Sequence, residues 1–279
     1  MSLRRLFIWP WVLTLIFIGG HALCIPHGKI RDLAFDWMSL GIKALALGGL
    51  CMGALAFERG DYLRKAFAFE AGTFGLLMLR DLTGLLVFVK DALLGLSLYL
   101  PMRYTLVVLA NLCAVASGWM MAWVSDEAGL LELGGRRRRV LLILAGLSLG
   151  LLLSGPAVIK SLPAVFEGKS GAVVTLVSSA GDTITIALSA PILLTALALR
   201  GGFLYYAWGL VAASRILWLL YDGMAILPNA IALLPLVRSG EEALRMLAGL
   251  HECMAGLAFW KILKGSEEWE KPASGDKSL

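Results

Sequence analysis

Five ionisable side chains, Lys43, Glu70, Arg215, His251 and Glu252, stand inside otherwise apolar stretches of the chain. A charge held in hydrocarbon costs about 2.5–3.5 kcal/mol on insertion scales, so each must face the interior of a helix bundle and meet a partner there. At 1.5 Å per helical residue, Arg215 lies about 10 Å inward of Asp222, and Glu252 reaches a similar depth in the last apolar stretch. An Arg215–Glu252 ion pair is therefore expected, serving either to fix helix register or as part of a site. Four more acids, Asp36, Asp81, Asp182 and Asp222, flank apolar stretches at what reads as one common side. Carboxylates gathered at one mouth suit a cation or an amine; the plainer reading is that they cap helix ends or pair with Arg80, Lys43 and Arg103.

Other chemistry is poorly supplied. His21, Cys24 and His27 have ligand-type side chains at i, i+3 and i+6, but Pro26 interrupts the helix and no fourth ligand is evident, so no metal is expected. Neither H-E-x-x-H nor G-x-S-x-G is present, although Glu241-Glu242 and His251-Glu252 come loosely near the former. Three histidines cannot ligate two bis-histidine haems. The four cysteines, at 24, 51, 113 and 253, form no C-x-x-C pair and suit small core residues better than disulfides. The expectation is a protein without catalytic machinery or cofactor.

The elements that must position these residues follow from composition. Of 279 residues, 59% are hydrophobic and only 16% charged, with a mean hydropathy of +0.80, far from the roughly one-quarter charged content of soluble domains. A hydrocarbon core of about 30 Å needs about twenty helical residues. Runs of that length fall at 6–24, 38–57, 63–81, 102–124, 140–160, 177–199, 203–222 and 241–263. The chain thus reads as an all-α membrane bundle of eight spans. Arg4, Arg5, Arg59, Arg64, Lys65 and the Arg136–Arg139 run collect on one side, which places both termini in the cytoplasm and the protein in the inner (plasma) membrane. The net charge of +5 is explained by these helix-end residues and gives no ground for nucleic acid.

The chain also repeats itself. Shifted by 141 positions, eight of the twenty-three residues from 59 to 81 are identical to those from 200 to 222, including Arg59-Gly60 over Arg200-Gly201 and Asp81 over Asp222. A tandem 4+4 duplication follows: a first repeat over 1–124, a cytoplasmic connector over 125–139, a second repeat over 140–264 and a tail over 265–279. Two further connections, 83–100 and 223–237, are too apolar for ordinary loops and read as interfacial or re-entrant segments.

Gly181-Asp182, an apolar span, Gly201-Gly202, Trp208 in an aromatic-rich span and then Asp222 together resemble the multi-span membrane sensor regions found ahead of bacterial histidine kinases and diguanylate cyclases. That resemblance implies a ligand-perceiving bundle. The tail from Gly265 has no room for an output domain, so signalling would pass through partner chains. Two functions stay open: a non-enzymatic sensory or structural subunit working through other membrane or cytoplasmic proteins, and a small-solute or ion transporter or channel with a charged site between the repeats. A transporter requires a solvated cavity between the halves ending at the buried charges; a subunit requires a dry core and an apolar flank covered by another protein.

Overall fold

The computed structural model describes residues 3–24, 28–85, 95–130, 136–224 and 235–269. Among these, every regular element is a helix: α1 (Leu3–Cys24), α2 (Gly28–Ala56), α3 (Tyr62–Leu85), α4 (Gly95–Glu127), α5 (Arg136–Phe166), α6 (Ser170–Ala198), α7 (Leu204–Met224) and α8 (Pro235–Trp269). Among the described residues, α2, α4, α5, α6, α7 and α8 are long and apolar enough to cross a membrane. The chain is a multi-pass membrane helix bundle. In α3 the charges Arg64, Lys65, Glu70, Arg80 and Asp81 are spread so evenly that each 18-residue stretch holds at least three of them. Most helices outrun the expected spans; α2 begins at Gly28 and α8 reaches Trp269. Because α4 continues through Glu127 and α5 starts at Arg136, the connector expected over 125–139 is largely helical where it is described. Half of the apolar connection at 83–100 and two-thirds of that at 223–237 lie outside the described residues, and the described remainders belong to the ends of α3, α4, α7 and α8.

Shifted by 141 positions, α2, α3 and α4 land within two residues of the bounds of α6, α7 and α8. Each α-hairpin so matched turns at a glycine with positive φ, 111° at Gly60 and 98° at Gly201. A side chain resists that backbone, and glycine adopts it at no steric cost. Around the Gly60 turn the Asp61 carboxylate accepts the Glu58 N–H at 3.1 Å and Arg64 donates to the Phe57 carbonyl at 3.3 Å.

Helices α2, α3, α4, α6, α7 and α8 pack in that order as a closed ring, α8 returning to α2. The outer pair attaches unevenly: α1 lies mainly against α8, whereas α5 lies almost wholly against α6. The two halves of the chain therefore interlock at α4–α6 and α8–α2. At the latter, Gly49 and Gly53 of α2 meet Cys253 and Gly256 of α8 so closely that a Cβ on Gly256 would overlap the Gly49 carbonyl. Small residues let helix backbones touch, and van der Waals packing then holds them where lipid supplies no hydrophobic force. On the side of the glycine turns the ring is filled by Phe57, Phe67, Trp208 and Phe259, with Phe67 edge-on to Phe259 at 5.2 Å between ring centroids. That half is closely packed; the other holds cavities.

Candidate functional site

The buried charges sit where the aromatic filling stops. Arg215 of α7 is 4% exposed, and its Nη2 donates to Glu70 Oε2 of α3 at 2.7 Å. Glu252 of α8, fully buried, approaches the same Nη2 only to 3.9 Å. The expected Arg215–Glu252 pair is present as the looser of two: Glu70, not foreseen as a partner, is the direct one. The reason is ring order, because α3 and α7 face each other across the bundle interior. Two carboxylates around one guanidinium leave a carboxylate in excess. Neither oxygen of Glu252 meets hydrogen-bond geometry with a described residue, although the Ser214 hydroxyl lies beside it, and Arg215 Nε likewise has no acceptor.

From this floor a cavity of about 230 Å³ extends away from the glycine turns between α3, α4, α6 and α7. Helix α6 contributes Ser178, Asp182, Thr185 and Ser189, which at i, i+4, i+7 and i+11 fall on one face of the helix. Helix α4 contributes Asn111, whose Nδ2 donates to Ser178 Oγ at 3.1 Å and to its own Val107 carbonyl at 2.9 Å. Helices α3 and α7 complete the wall with Glu70, Thr73, Phe74, Arg80, Arg215 and Trp218. The cavity accordingly joins one half of the chain to the other.

A second cavity, of about 360 Å³, opens between α2, α3, α4 and α8, lined by Asp36, Ser39, Asp81, Tyr99, Arg103 and Arg245. Here one carboxylate holds two cations. Lys43 donates to Asp81 Oδ2 and to Ser39 Oγ, both at 2.5 Å, and Arg80 Nε donates to Asp81 Oδ1 at 2.7 Å. Arg245 donates to Ser39 Oγ at 3.2 Å and pairs with Glu242 one turn away.

The nine residues picked out by type and depth are thus divided. Glu70, Arg215 and Glu252 converge; Asp182 shares the cavity with the first two; Lys43, Asp81 and the exposed Asp36 belong to the second cavity. His251 turns toward α1, its ring edge-on to Trp11 at 5.7 Å and its Nδ1 2.7 Å from the Leu247 carbonyl. The side chains of Asp222, His21 and Cys24, and all of His27, lie outside the described residues. Among the described residues no three His, Cys, Asp or Glu side chains converge on a metal position, and Cys51, Cys113 and Cys253 are free thiols. Asn111 and the hydroxyls of α6 went unnoticed in the sequence, although their helical spacing was there to be read. Compared with protein-family models, curated proteins and solved structures, the chain matches none.

Proposed function

We propose that this chain is a small-solute transporter of the plasma membrane, with eight spans, both termini cytoplasmic and a tandem four-helix repeat. The cavity at the seam of the two halves, floored by Glu70 and Arg215, is the observation that carries this reading. Polar residues at membrane depth are costly and line solute or ion pathways far more often than they merely fill space. The recurrence of helix bounds and of the glycine turns at 141 residues supports the duplication. Transport through such a site needs the aromatic filling on the glycine-turn side to part, so that the cavity alternates between the two faces.

A second reading, the sensory subunit, draws on that same filling: a cavity sealed at one end by Phe67, Trp208 and Phe259 suits perception without passage. The two are separated by chemical access. In a background with the four native cysteines replaced by alanine, Ser178→Cys and Ser189→Cys are exposed to a membrane-impermeant maleimide from either face of sealed vesicles. Labelling from both faces is expected. Labelling from one face alone would transfer the site to a sensor.

A further inference from the structure

We infer that the cavity between α3, α4, α6 and α7 takes a small primary amine in its ammonium form, with Asp182 as the counter-ion. The inference rests on the solute-site reading above and names the class of solute. Four charged side chains line the cavity: Glu70, Arg80, Asp182 and Arg215. Both guanidiniums are already paired, Arg215 with Glu70 at 2.7 Å and Arg80 with Asp81 at 2.6 Å, where Lys43 bonds too; over this cluster four carboxylates, Glu70, Asp81, Asp182 and Glu252, face three cations, Lys43, Arg80 and Arg215. Asp182 remains, without an ion pair or hydrogen bond to any described residue. An anionic solute would meet this surplus carboxylate, with Glu70 and Glu252 already around Arg215; a cation completes the count.

The walls decide which cation. A hard metal ion gathers six or more oxygen ligands or an octahedral shell, usually anchored on carboxylates, and among the described residues no three His, Cys, Asp or Glu side chains converge. The space, about 230 Å³, also exceeds what a bare ion fills and stays below the 300 Å³ from which drug-sized pockets start. Ser178 and Thr185 flank Asp182 by one helical turn on either side, and such hydroxyls accept N–H bonds. Phe74 and Trp218 add aromatic faces for a cation. Carboxylate, hydroxyls and rings together fit an ammonium group on a short apolar tail.

The test uses the full chain in lipid nanodiscs and n-butylammonium as probe, titrated calorimetrically, with butyrate as the probe of opposite charge. Butylammonium is expected to bind and butyrate not. Asp182→Asn should weaken binding at least tenfold and Asp182→Glu should restore part of it, while the surface variant Glu167→Gln binds as the parent does. A readout independent of these variants is protection: butylammonium should slow maleimide labelling of Ser178→Cys, and butyrate should not. Equal binding of butyrate, or unchanged binding by a folded Asp182→Asn, overturns the inference. If Ser178→Cys is labelled but butylammonium neither binds nor protects, the ammonium assignment falls and the solute cavity stands. If neither Ser178→Cys nor Ser189→Cys is ever labelled, the cavity reading falls and takes the assignment with it.

Discussion

The halves of the chain meet at two crossings, α2 on α8 and α4 on α6, that occupy corresponding places 141 residues apart and are built in opposite ways. At the first, Gly49, Gly53 and Gly256 bring backbone onto backbone and leave no room between the helices. At the second, Asn111 stands as a spacer: a Cβ on Gly181 would come 3.1 Å from its Oδ1, and its amide is bonded to Ser178 across the gap. Glycine closure makes a tight seam, and an amide spacer makes an open one. Asn111 and Glu252 are themselves 141 positions apart. One equivalent position thus serves the cavity, while the other holds a carboxylate buried behind Arg215.

The comparison breaks most severely at the buried charges beside the tight seam. Arg215→Met strands Glu70 and Glu252 without a cation and should cost about 3–5 kcal/mol in detergent stability measurements. A double-mutant cycle sharpens this, because Arg215→Met and Glu70→Leu should couple strongly and Arg215→Met with Glu252→Leu less so. Equal coupling would make Glu252 a partner of the same rank as Glu70.

Next in size is the seam itself. Gly256→Ala puts a methyl onto the Gly49 backbone, which cannot give way, and a loss of about 3 kcal/mol is expected by thermal unfolding. Gly181→Ala meets only the end of the Asn111 side chain and should lose about 1 kcal/mol. Similar losses at both glycines would mean that the seams are built alike. The smallest effect belongs to the spacer. Asn111→Ala removes one interhelical hydrogen bond, for which about 0.6–1.7 kcal/mol is the measured scale in membranes. Maleimide access to Ser178→Cys should change more in that variant than stability does.

Helix-length apolar runs and glycine turns could be read from the sequence because they are local: hydropathy over about twenty residues sets a span, and only glycine relaxes at the φ of Gly60 and Gly201. Glu70, Arg215 and Glu252 were legible as buried for the same reason, each being a charge in an apolar stretch. Their pairing was not, because it depends on which helices face one another across the ring, a property of the closed assembly. Depth held part of the answer. Counted from Asp81 and Asp222, Glu70 lies four residues deeper than Arg215, about 6 Å at 1.5 Å per residue, a gap that an arginine side chain can span. Similarly, the polar face of α6 was written at helical spacing in Ser178, Asp182, Thr185 and Ser189. That this face meets a cavity depends on the Asn111 spacer of another helix.

Closure of the ring by α8 has a consequence for biosynthesis. Helices α1 and α2 both find their largest partner surface in an element that begins about 210 residues after α1 ends. At the usual 5–20 residues per second of translation they wait roughly 10–40 s before it emerges. During that interval the glycine face of α2 is open to lipid or to a chaperone at the insertion site, as is Glu70 until α7 brings Arg215. Assembly is therefore set by the last arrival, and a ribosome stalled before Pro235 leaves an unclosed arc of helices exposed to membrane quality control.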